Sequence, residues 1–202
     1  MELRSQRGVL WHRVQPIMAS NPAWRLGLQF TRPVRRVAEL GSLGGITHRM
    51  KITDGGLDDP RVQKLLDYHL RSARAETASG SAHALDLSGL KSPDVHFWSV
   101  WDREAVMGIG ALKRLSESHG EIKSMHTEQA YRRKGVGSAM LGHIIAEARK
   151  MGLSRLSLET GSWPYFASAR ELYSLKGFAE CLPFGSYVAD PNSVFMTLEL
   201  RR

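Results

Sequence analysis

Tyr131-Arg132-Arg133-Lys134-Gly135-Val136-Gly137-Ser138 is the stretch on which the reading of this sequence turns. Three consecutive cations lead into two glycines, and a helical repeat begins at once: Val136, Met140, Ile144 and Ala148 share one face until Gly152 stops the helix near Met151. Upstream, Glu121–Thr127 reads as a strand, so the glycines lie at a strand-to-helix junction. A helix start presents unpaired backbone N–H groups and the positive end of the helix dipole. Glycine lets an anion approach that backbone closely, and the cations add charge, so the natural ligand is a diphosphate. A tight turn with exposed basic side chains is the other reading these eight residues leave open.

Working outward, Met50-Lys51-Ile52-Thr53 is a short strand, and Asp59-Pro60 opens a helix over 60–77 with Val62, Leu65, Leu66, His69, Leu70 and Ala73 at helical spacing. Residues 79–94, rich in Ser, Gly and Asp, read as a loop with one short turn. Val95–Trp101 and Val106–Leu115 are strands joined by a tight turn at Asp102–Glu104, and with Glu121–Thr127 they form an antiparallel meander. Alternation along the last of these puts Glu121, Lys123, Met125 and Thr127 on one face and Ile122, Ser124 and His126 on the other. Beyond the long helix come a strand at Leu156–Glu159, a helix at Ala167–Leu175 stopped by Gly177, and strands at Phe178–Leu182 and Val194–Leu200. The sum is an α+β fold: a mixed, mostly antiparallel central sheet flanked by helices.

The chain has 202 residues, 42% hydrophobic and 24% charged, enough for a sizeable core. Its net charge of +8 is unevenly spread: residues 1–49 hold eight Arg, no Lys and two acids, which leaves the rest near neutral. A nucleic-acid-binding core is therefore not expected. Residues 1–49 lack periodicity and are broken by Pro16, Pro22, Pro33, Gly41, Gly44 and Gly45, so they read as a disordered, spurious or targeting leader, or as a basic arm. Residues 50–202 are the expected domain. No stretch nears the ~18 unbroken apolar residues of a membrane span. The single Cys181 excludes an internal disulfide framework and points to a reducing, cytoplasmic setting; its neighbours place it in an apolar strand. The eight His, His83 and His96 among them, show no metal-ligand spacing, so no metal is expected.

Two other phosphate-binding motifs fit poorly. In a dinucleotide fingerprint Gly135 and Gly137 would be the first glycines and Glu159 the ribose contact, but Met140 stands where the third glycine belongs. A triphosphate loop would need Gly-Lys-Ser/Thr, which is missing here. Arg132-x-x-Gly135-x-Gly137 instead resembles the Q/R-x-x-G-x-G/A signature of the GNAT acyltransferases. A second block, Ala169-Arg170-Glu171-Leu172-Tyr173-Ser174-Leu175-Lys176-Gly177-Phe178, is similar to that family's A-x-x-L-Y-x-x-x-G-F ending, although Phe166 stands where many members carry Asn. The two motifs are specific through their order and separation, and the resemblance spans roughly Met50–Leu200.

The resemblance implies the acyl-CoA N-acyltransferase fold and acetyl transfer from acetyl-CoA, as co-substrate, to an amine of a small molecule. No nucleic acid or membrane partner is implied, and the protein would be a monomer or homodimer. It assigns the pyrophosphate to Arg132, Arg133, Lys134, Gly135, Val136, Gly137 and Ser138, and the pantetheine arm to the backbone of Met125, His126 and Thr127. Tyr173 becomes the proton donor to the departing sulfur. The proton acceptor is left among Glu121, Glu159 and His126, and a core-packing Tyr173 is the alternative to a catalytic one. Trp98, Trp101 and Trp163 read first as packing residues. A module that binds acyl-CoA without turnover is the rival reading of the whole.

Overall fold

A computed structural model describes residues 50–77 and 85–200, all within one compact unit. The leader read over residues 1–49 lies outside the described residues, as do His83 and most of the loop before Leu85.

The chain runs β1 (Lys51–Asp54), α1 (Pro60–Ala75), a single turn α2 (Leu87–Leu90), β2 (Val95–Asp102), β3 (Ala105–Arg114), β4 (His119–Thr127), α3 (Val136–Lys150), β5 (Arg155–Gly161), α4 (Ala167–Leu175), β6 (Ala179–Glu180) and β7 (Ser193–Glu199). Among the described residues the strands form one sheet in the order β1-β2-β3-β4-β5-β7-β6, in which β4 and β5 are the only parallel neighbours. The sheet is mixed and mostly antiparallel, as expected. Asp59 caps α1 by accepting the Arg61 N–H, with Pro60 in the first turn. The strand read at Phe178–Leu182 shortens to two residues, and Cys181 follows it half-buried rather than in the core; its N–H still donates to Phe195.

Two apolar layers cover the sheet. On one face Met140, Leu141 and Ile144 of α3 pack on Leu112, Ile122, Leu156 and Leu158. On the other, Val62, Leu65 and Leu66 of α1 pack on Phe97, Ile109 and Ala111. The helical repeats that announce α1 and α3 are thus the stripes that bury them. Trp98 lies in the core as expected, whereas Trp163 is exposed.

One irregularity decides which side chains face which layer. Ala111 pairs with Lys123 and Ile109 with His126, so Gly110 alone faces both Ser124 and Met125. The extra residue is a β-bulge, taken up by Ser124 at φ 49°. It inverts the alternation read from the sequence. His126 joins Lys123 on the α1 face, while Met125 packs with the α3 layer and Thr127 pairs with Gly108. Strict alternation fails here because each added residue turns every later side chain over.

Candidate active site

β4 and β5 pair only from His119 to Ile122 against Arg155 to Leu158. Beyond that point both strands continue without pairing to each other, and a cleft of about 800 Å³ opens between them. Its wall includes Met125, His126 and Thr127 of β4, Glu159 of β5, Leu172 and Tyr173 of α4, and the start of α3.

The start of α3 can receive an anion. Gly135 is its N-cap, at φ 81° and with no side-chain cap hydrogen bond, so the first amides of the helix are left to an outside acceptor. Gly137 allows a close approach of another kind, since a Cβ there would stand 3.2 Å from Leu172 Cδ2 and 3.5 Å from Thr127 Oγ1. Arg132, Arg133, Gly135, Val136, Gly137 and Ser138 all line the cleft. Lys134 does not; its ammonium lies 5.3 Å over the Tyr131 ring. The fit to a diphosphate is therefore one of backbone N–H groups, dipole and two guanidinium groups, with the third cation set aside.

Tyr173 is buried at the cleft wall, its ring edge-on to Phe178 at 5.8 Å. Burial, reinforced by the Glu159 carboxylate, holds its phenol well above the ordinary value, so the proton stays on through the neutral range. Glu159 also lines the cleft, and its Oε1 accepts a hydrogen bond from Ser193 at 2.7 Å.

Glu121 is placed differently from the other two. Its Oε1 accepts from the Tyr187 hydroxyl at 2.6 Å and from Lys123 Nζ at 3.1 Å, while Lys123 also donates to Tyr187 Oη at 2.7 Å. All of Glu121 but 4% is buried, and it does not line the cleft, whereas Lys123 does. The carboxylate is thus engaged with both Tyr187 and Lys123, which ties the 182–192 segment to β4. Burial and Glu121 together push the Tyr187 phenol far up, so its proton stays on and it remains the donor to Glu121.

A model described as the acetyltransferase (GNAT) family matches residues 62–178. The chain belongs to that family. The uncharacterized N-acetyltransferase YsnE of Bacillus subtilis is 49% identical over 151 residues, 75% of this chain and 99% of that one. Among solved structures, a candidate acyl-CoA N-acyltransferase of Klebsiella pneumoniae is similar at 28% identity and TM-score 0.65, over 76% of this chain and 99% of that one. The Salmonella typhimurium protein yncA, solved with acetyl-CoA, shares the fold at 18% identity and TM-score 0.58, over 75% of this chain and 94% of that one.

Sequence reading of this GNAT chain passes over two elements of its site. The first is the partnership of Lys123 and Tyr187, which lie 64 positions apart and share no motif. The second is a pair of imidazoles: the bulge sets His126 against His69 of α1, ring centroids 5.1 Å apart. Burial first, then the Lys123 charge, lowers His69 to about 4. Burial, then His69 and Arg132, lowers His126 to about 3. Both rings are neutral at physiological pH.

Proposed function

We propose that this GNAT protein carries the acetyl group of acetyl-CoA to the amine of a small molecule by direct attack, with no covalent enzyme intermediate. The observation that carries the proposal is the continuity of one cleft, which joins the uncapped start of α3 to the gap between β4 and β5 and to the buried hydroxyl of Tyr173. In this reading the amides of Val136, Gly137 and Ser138 hold the pyrophosphate, with Arg132 and Arg133 beside them. The backbone of Met125, His126 and Thr127, left unpaired toward β5, binds the pantetheine arm and polarises the thioester carbonyl.

The amine nitrogen adds to that carbonyl and the carbon–sulfur bond breaks. Tyr173 gives its proton to the departing thiolate, whose basicity rises in the same apolar wall. Glu159 takes the proton that the amine sheds; Glu121, neutralised by Lys123 and away from the cleft, supports the sheet instead. Residues 50–202 make up the catalytic unit, a monomer or homodimer working in the cytoplasm without a metal.

The test is release of free CoA from acetyl-CoA across a panel of small amines, with the product identified by mass. Release that depends on an amine and yields its N-acetyl derivative is expected. Tight binding of acetyl-CoA with no turnover on any amine would overturn the proposal in favour of a binding module.

A further inference from the structure

Three buried side-chain polar atoms meet no hydrogen-bond partner among the described residues: Ser124 Oγ, His126 Nε2 and His143 Nε2. Burying a polar atom without a partner is costly, so native structures seldom leave one in that state. His143 lies outside the cleft, edge-on to Trp98 at 5.2 Å. Ser124 lies in the β4 bulge and His126 just beyond it, and both residues line the cleft. In a residue that lines a ligand cleft, such an atom can be one whose partner arrives with the ligand.

The bulge gives His126 its direction. It turns the ring to the sheet face opposite α3, where Tyr68 and His69 flank it at 5.6 and 5.1 Å. The cations and the uncapped amides belong to the start of α3, which leaves the face reached by His126 for the second substrate. The ring is neutral, and in its Nδ1–H tautomer Nε2 is a hydrogen-bond acceptor. A neutral acceptor there receives an N–H without repelling an amine that arrives charged.

We propose that His126 Nε2, held in place by His69, accepts a hydrogen bond from the nitrogen of the acceptor and so aims its lone pair at the thioester. The inference rests on the acetyl-transfer reading above. In it His126 is a substrate-binding residue, His69 a positioning residue, and the proton still leaves to Glu159.

The experiment needs no knowledge of the natural acceptor. Full-length protein is titrated calorimetrically with CoA and with two CoA derivatives whose sulfur carries –CH2–CO–NH–CH3 or the nearly isosteric –CH2–CO–O–CH3. Wild type is expected to hold the amide about tenfold more tightly than the ester, a factor equivalent to ~1.4 kcal/mol. His126→Phe abolishes that preference, read as the ratio of amide to ester affinity in the variant itself, and melts no lower than wild type because the orphaned atom has gone. His126→Gln, which restores a hydrogen-bond acceptor, keeps part of the preference, as a purely structural role would not require. Equal binding of amide and ester by wild type, or a preference that survives in His126→Phe, overturns the inference. Failure of wild type to bind CoA at all is a separate result, and it sinks the acetyl-transfer reading first.

Discussion

Replacing Tyr173 with Phe removes one oxygen from a site whose ring is otherwise fully packed. The side chain is 7% exposed and its ring contact with Phe178 does not involve the hydroxyl, so the fold should tolerate the change with stability altered by less than about 1 kcal/mol. The functional cost is larger. A hydrogen bond to a group that becomes charged is worth about 1.5–3 kcal/mol, and the departing thiolate is such a group, so turnover should fall roughly ten- to hundredfold. Because the thioester is held by backbone and pyrophosphate contacts, KM for acetyl-CoA should move little. The assay is single-turnover release of CoA under saturating acetyl-CoA and amine, which keeps product release out of the measured rate. The phenol is held well above its ordinary value, so the wild-type rate should also show no decline from loss of this proton up to about pH 10. A Tyr173→Phe enzyme whose single-turnover rate lies within twofold of wild type would refute the role, and Tyr173 would then be a packing residue.

Lys123→Met leaves the Glu121 carboxylate buried with Tyr187 as its remaining donor in the network, and should destabilise the fold by roughly 3 kcal/mol; adding Glu121→Gln should recover most of that, as read by urea denaturation. Gly137→Val drives a branched side chain toward Leu172 and Thr127 across the cleft wall, so KM for acetyl-CoA should rise about tenfold or more with a smaller effect on kcat, measured by initial rates. His69 and His126 stay neutral in the folded chain down to about pH 4 and 3, whereas the unfolded chain protonates both near pH 6.5. The unfolded state therefore binds more protons as pH falls below about 6.5, and stability drops across that window. Melting curves between pH 7 and 4 should show this decline, and it should be shallower in His69→Phe.

The sequence announces what local chemistry controls. The stripes of α1 and α3, the Asp59-Pro60 helix start and the Gly135 junction are each written within one element, because helix periodicity and terminus chemistry need no distant partner. The meander is legible for the same reason, since short turns connect neighbours. The bulge at Ser124 is not, because it is fixed by how β4 registers on β3, and one inserted residue inverts the facing of everything after it. This is why His126, read as a backbone contributor and a candidate proton acceptor on the face of Ile122 and Ser124, presents its ring to the face of Lys123 instead. Glu121 shows the limit for a candidate base. As a strand carboxylate near a cleft it is indistinguishable from Glu159 in sequence, and only the distant Tyr187 and the adjacent Lys123 separate their surroundings.

The central claim is that the amides at the start of α3 hold the linked phosphates of CoA. Backbone amide NMR shifts of the full-length protein on titration with CoA test this most directly. The account predicts saturable shifts largest at Val136, Gly137 and Ser138 and extending to Met125–Thr127, with no comparable response to a nicotinamide dinucleotide. No saturable shift with CoA, or shifts that leave those amides untouched, would contradict it.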